Sequence, residues 1–143
     1  MSLPYFLSAN PLAGLITGAE AQHAHVKRIE VGEHIMLIDG CGLAAEVKVT
    51  EASKSEVRGE VVGHHTVQQP TPRVTVVQAI PKSERAELAV DLAVQAGADA
   101  IIPWISHRTI ARWPENKQAK QVEKWQQQAL ASAKQARRAW VPQ

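Results

Sequence analysis

The sequence predicts an α/β chain, α+β overall: a small β-barrel with one helix, then the opening βαβ unit of a parallel sheet with a further helix. Three observations carry this. The run Val74–Trp104, VTVVQAIPKSERAELAVDLAVQAGADAIIPW, reads as strand, tight basic turn, helix, glycine stop and strand. The first seventy residues instead hold one helix signal among several short strand signals. Between them Gly63–Arg73, GHHTVQQPTPR, is polar and carries two prolines, which sets domains at 1–72 and 73–143.

In the first domain, Met1 to Leu15 contains the punctuators Pro4, Pro11 and Gly14 and reads as an extended entry with one short strand. Thr17-Gly18-Ala19-Glu20 has the Thr-x-x-Glu form of a capping box, in which each side chain satisfies a backbone N–H. A helix should start there, run to about Ile29 and end at Gly32. Ile35–Ile38 and Leu43–Val49 are strands joined through an Asp39-Gly40 turn, and Val57–Val62 is a further strand. One helix across the end of such a barrel is the simplest assembly.

In the second domain, Val74, Val76, Val77 and Ile80 are β-branched and lie between Pro72 and Pro81, which suits a buried strand. Ser83 can cap the helix that follows, and Glu84 and Glu87 favour its positive end. Leu88, Ala89, Leu92, Ala93 and Ala96 recur at helical spacing, and Gly97 stands where a left-handed residue ends a helix. Ala100–Ile105 is then a parallel neighbour of the first strand. Glu115–Trp140 reads as a long amphipathic helix, with an apolar stripe of Val122, Trp125, Ala129, Ala133, Ala136 and Trp140 and lysines and arginines mostly off it.

Composition narrows the function. Cys41 is the single cysteine, so an internal disulfide is excluded. No apolar run approaches a membrane span and no signal pattern opens the chain, so a cytoplasmic location is expected. His23, His25, His64, His65 and Cys41 lack a zinc spacing, and no metal is expected. Walker and Gly-x-Gly-x-x-Gly loops are missing, and no pair of carboxylates marks a hydrolase. Charge is uneven: five Lys/Arg against eight Asp/Glu up to Pro72, but eleven against six from Arg73 on. A basic carboxyl-terminal half suits contact with phosphates, although such charges also serve as solvated faces.

The residues also resemble a known family. QAIPKSERAELAVDLAVQAGADAIIPWISHRTIARW is similar to the start of the catalytic domain of the 16S rRNA uracil-N3 methyltransferases, of the SPOUT (trefoil-knot) class. Pro81, Lys82, Glu84, Arg85, Gly97, Pro103, Ser106, Arg108 and Thr109 stand at the family's motif places, and ALASAKQARRAWVPQ resembles its basic-ended helix before Val-Pro. TGAEAQHAHVKRIEVGEHIMLIDGCG resembles the family's PUA-like RNA-binding barrel through Thr17, Gly18, Glu20, His23, Val26, Arg28, Val31, Gly32, Glu33, Asp39 and Gly40.

The resemblance implies S-adenosylmethionine-dependent methylation of N3 of a uracil in 16S rRNA, with the small ribosomal subunit or its RNA as partner and a homodimer in the full-length family. It implies that Lys27 and Arg28 dock RNA from the barrel, while Lys82, Arg108, Arg112, Arg137 and Arg138 line the catalytic-domain face. No catalytic side chain is assigned. The family binds its methyl donor in Gly-rich loops of a knot, whereas the last glycine here is Gly97. The donor site is therefore expected beyond Gln143, leaving this chain as the RNA-recognition portion; the alternative is a stand-alone, non-catalytic RNA-binding module. Two parallel strands with two helices should also leave apolar faces uncovered, so the chain is expected to self-associate or to have been cut from a longer one.

Overall fold

The computed structural model describes residues 2–143, and they divide into two units: residues up to Gln69 with Arg137–Trp140, and Pro70–Ala136 with Val141–Gln143. The expected fold class is observed, a curled sheet in the first unit and a parallel strand pair with helices in the second.

The first unit contains β1 (Tyr5–Leu7), β2 (Leu15–Thr17), α1 (Gly18–Val26), β3 (His34–Ile38), β4 (Leu43–Ala52) and β5 (Glu56–Thr66). They form a five-stranded sheet in the order β1-β3-β4-β5-β2, parallel at β1–β3 and antiparallel elsewhere. Register shifts at Glu46/Val47 and Val49/Glu51 bend β4, as bulges do. The curl brings the edge strands together: the Ser8 hydroxyl, just past β1, donates to the Leu15 carbonyl at the start of β2 (2.8 Å). Phe6, Ile16, Ala21, Ala24, Ile35, Leu37, Val47, Val49 and Val57 fill the interior. At the β3–β4 turn, Asp39 Oδ1 accepts from the N–H groups of Cys41 (2.7 Å) and Leu43 (3.0 Å), the local bonding that makes Asp a turn former.

Four details depart from the sequence reading. Two strands, not one, lie before α1. The capping box does not form: Thr17 makes no side-chain cap, and Glu20 Oε2 accepts the N–H of Leu7 (2.9 Å), satisfying an edge of β1. Helix α1 ends at Val26, not near Ile29, because Arg28 takes the left-handed place expected of Gly32 (φ 59°). The bonds Arg28 N–H to His25 O (3.0 Å) and Ile29 N–H to Ala24 O (3.1 Å) form a Schellman closure there. Strand β5 continues through Gly63, His64 and His65, which pair with Glu46, Ala45 and Ala44, so those residues are ladder rather than linker.

The second unit contains β6 (Thr75–Ala79), α2 (Ser83–Gln95), β7 (Ala100–Trp104) and α3 (Gln118–Gln135), the last preceded by a 3₁₀ turn at Glu115–Lys117. Strands β6 and β7 pair in parallel from Thr75–Ala100 to Ala79–Trp104. Asp99 orders their starts. Its carboxylate accepts the N–H of Val74 (2.8 Å), its own N–H donates to the Val74 carbonyl (2.8 Å), and its carbonyl accepts from Gln143 (3.2 Å).

Helix α2 buries Val90 and Val94, against Ala129 and Ala133 of α3; Leu88 and Leu92 of the expected stripe are more than half exposed. Its N-cap is Lys82 rather than Ser83, and Gly97 ends it with φ 104° as expected. Helix α3 stops at Gln135, five residues before Trp140, because Arg137 turns left-handed (φ 60°). Trp140 thus leaves the stripe: in the first unit it bridges Gly40 and Cys41, and its indole N–H donates to the Val67 carbonyl (2.7 Å). Lys134, expected on the solvated face, is buried. On the opposite side of the strand pair Val77, Ile102 and Trp104 remain exposed, so the expected uncovered apolar face is present.

A polar pin crosses α2 and α3. The carboxylate of Asp91 is held below its ordinary value of 3.8 by the hydroxyl of Ser132 first and by the amide of Gln95 (2.9 Å) second. A lowered aspartate value means that the folded state prefers the charged form. Its stabilising contribution is complete above the ordinary range and is lost as pH falls through the lowered value. NMR titration of Asp91 should give a midpoint below 3.8, and Ser132→Ala should move it upward. A midpoint unchanged in Ser132→Ala would remove Ser132 as the cause.

Candidate nucleic-acid interface

The basic residues singled out in the sequence fall into two groups, one in each unit. In the second unit the loop Ser106–Trp113 leaves the carboxyl end of β7. Parallel sheets commonly receive ligands at these ends, where loops can vary without disturbing the core. The loop is shaped by its own polar groups. Thr109 Oγ1 accepts the Ser106 N–H (3.0 Å) and shares a 2.6 Å hydrogen bond with the Ser106 hydroxyl. The guanidinium of Arg112 donates to the carbonyls of Ser106 and His107, each at 3.2 Å.

That folding brings Lys82 and Arg108 to one open groove of about 310 Å³, whose other walls include Ile80, Pro81, Ser106 and Thr109. Both cations are exposed, and Lys82 also precedes the first turn of α2, where free N–H groups favour an anion. Arg112 lines a second depression of similar volume beside Trp113, Lys124 and Trp125, whose two indoles meet edge to face (5.4 Å between centroids, 89°). Arg112 acts first as a staple of its own loop.

In the first unit the cations gather at β1. Lys27 Nζ lies 6.0 Å from the ring centre of Phe6, and the Arg137 guanidinium lies 5.7 Å from that of Tyr5. Arg137 Nε also donates to the Ser2 hydroxyl (3.3 Å). Arg137 and Arg138 therefore sit with the barrel unit, whereas the sequence grouped them with the catalytic-domain face. Arg138 is half-buried, and Arg28 is exposed. Arg28 and Arg137 are the described non-glycine residues with positive φ, a conformation that costs about 1 kcal/mol or more per residue. Such strain persists where surrounding structure imposes it and often marks functional positions.

Sequence reasoning missed Tyr5, the ring beneath Arg137; it marked Ser106 and Thr109 as motif residues but not the hydrogen bond between them that shapes the groove. A Ser-x-x-Thr spacing after a strand is the signal that could have marked the pair.

Two sequence profiles match the chain. Residues 16–62 match the RNA methyltransferase PUA domain, and residues 67–143 match the RNA methyltransferase domain. The chain belongs to the RNA methyltransferase family. Among its relatives, the ribosomal RNA small subunit methyltransferase E of Mycobacterium bovis is 41% identical over 129 residues, covering 90% of this chain and 49% of that protein. Its Bacillus subtilis counterpart is 28% identical over 129 residues, covering 89% and 50%. In three dimensions the Neisseria gonorrhoeae enzyme of that name, solved bound to S-adenosylmethionine, superposes with a TM-score of 0.87 at 27% identity, covering 99% of this chain and 60% of that one.

The chain spans about half the length of the curated relatives it matches. Within this chain, Lys27 and Arg28 fall in the PUA match, and Lys82, Arg108, Arg112, Arg137 and Arg138 in the methyltransferase match. No helix among the described residues is long and apolar enough to cross a membrane.

Proposed function

We propose that this chain is the RNA-recognition part of an S-adenosylmethionine-dependent enzyme that methylates N3 of a uracil in 16S rRNA, working in the cytoplasm and as a homodimer in its complete form. The observation that carries the proposal is the convergence of Lys82 and Arg108 on one groove at the strand ends of a methyltransferase domain, in a chain that also carries a PUA domain. The names of the relatives supply the small-subunit rRNA, and the motif resemblance supplies the uracil.

In this reading Lys27, Arg28, Arg137 and Arg138 dock RNA on the barrel unit, and Lys82 and Arg108 grip phosphates beside the target nucleotide. Phosphate contacts of this kind set register and orientation rather than sequence. Arg112 holds the loop that presents Arg108. The target uracil must be unstacked before its N3 can be reached, and fixed phosphates on either side lower the cost of holding it out. The methyl donor, when bound, supplies an electrophilic methyl group. The residues of this chain do not fit it: none of three grooves among the described residues of the second unit is lined by a glycine that would let backbone approach a ligand closely. The same glycine-free lining supports the alternative, a non-catalytic RNA-binding module.

Two titrations of the 143-residue chain test the proposal. Calorimetry with S-adenosylmethionine should show no saturable binding, whereas small-subunit rRNA fragments should bind with an affinity that falls steeply as salt rises. Saturable binding of the donor would overturn the division of labour. Absence of salt-dependent RNA binding would overturn both readings.

A further inference from the structure

The curled sheet leaves a groove of about 380 Å³ between its edge strands β1 and β2, with none of the basic residues discussed above in its lining. Its size falls within the range of about 300–1,000 Å³ typical of small-molecule sites. The apolar wall comes from Leu7, Ala13, Leu15 and Ile16. Buried Ser8 braces it, donating to the Leu15 carbonyl (2.8 Å) and accepting the Asn10 N–H (3.2 Å). Three further polar residues line the same space: Asn10, Thr17 and Asp39. Asn10 and Thr17 stand at N-cap positions yet make no side-chain cap. Asp39 is fixed in its turn by the two N–H groups that its Oδ1 accepts.

We propose that this groove receives a single unstacked nucleobase of the bound RNA, a recognition site additional to the phosphate-gripping cations. The inference rests on the RNA-binding reading above. A flat ring suits the apolar wall, and an asparagine amide offers a donor and an acceptor side by side, as a base edge does. Asp39 accepts from ring or amino N–H groups. No lysine or arginine lines the groove, and the carboxylate repels phosphate, so the occupant is a base and not the backbone. A peptide strand is disfavoured for a different reason. Strand addition needs unpaired edge groups, and here the Leu7 N–H is taken by Glu20 and the Leu15 carbonyl by Ser8.

The test compares two RNA duplexes, identical except that one carries a single bulged 2-aminopurine nucleotide. The full chain should bind the bulged duplex about tenfold more tightly, which corresponds to 1.4 kcal/mol, and the fluorescence of the probe should change on binding. Asn10→Ala with Thr17→Val should abolish that preference and leave affinity for the plain duplex unchanged. Ala13→Trp, which fills the groove without removing a hydrogen-bonding group, should do the same. Equal binding of the two duplexes by the unaltered chain, or a preference kept by both variants, would overturn the groove proposal alone. Binding of neither duplex would overturn it together with the RNA-binding reading.

Discussion

Replacing Gly59 by alanine is expected to cost the first unit about 3 kcal/mol, at the upper end of what an added methyl in a packed interior does. A Cβ built there overlaps the side chain of Val47 and the carbonyl of Lys48. On its other side Gly59 faces Gly14. The Gly59 N–H donates to the Gly14 carbonyl (2.8 Å), and a Cβ on Gly14 would in turn run into the Gly59 carbonyl. Neither neighbour can yield cheaply, because one contact is backbone and the other belongs to the buried core. The curl of the sheet depends on this close approach, since it lets the segment before β2 lie against β5. Thermal melting should fall by about 10 °C for a chain of this size. Gly63→Ala is the control: on the same strand, its Cβ meets nothing within 4 Å, and its effect should stay within about 0.5 kcal/mol. A Gly59→Ala protein as stable as the Gly63→Ala control would show that the sheet opens to admit the methyl group.

Reversing Lys82 and Arg108 to glutamate should lower affinity for small-subunit rRNA about 100-fold near physiological salt, tenfold for each site. The dependence of log K on log salt should become shallower by about two, since each phosphate contact contributes a slope near 0.9 in duplexes and less in single strands. Folding should survive. Both side chains are exposed, and glutamate at the N-cap of α2 is compatible with the positive end of the helix. The double variant should keep the melting behaviour of the second unit, which separates a lost phosphate grip from lost structure. Unchanged affinity with an unchanged salt slope would remove the groove from the RNA path, leaving the cations at β1 to account for binding.

Much of this architecture was legible because it is local. The β-branched run Val74–Ile80 lies between Pro72 and Pro81 on a length that suits a strand, and Gly97 ends α2 because it accepts a left-handed backbone without steric cost. Two of the misreadings share a cause: the residues concerned find their partners far along the chain. Glu20 has the spacing of a capping box but bonds Leu7, thirteen residues away, because an edge strand with an unpaired N–H lies beside it. Leu88 and Leu92 have the right period, yet Val90 and Val94 are buried, because the position of α3 decides which face of α2 is inside.

The same division holds for the site. Residue type and motif alone marked Lys27, Arg28, Lys82, Arg108, Arg112, Arg137 and Arg138 as cations for phosphate, and gave the order of strands and helices that carries them. Tertiary structure decided their company. It put Lys82 and Arg108 on one groove, turned Arg112 onto its own loop, and ended α3 at Gln135 so that Arg137 lies over Tyr5. The physical reason is range: periodicity, caps and turns act within a few residues, whereas a groove or a cation over a ring exists only after distant segments have packed.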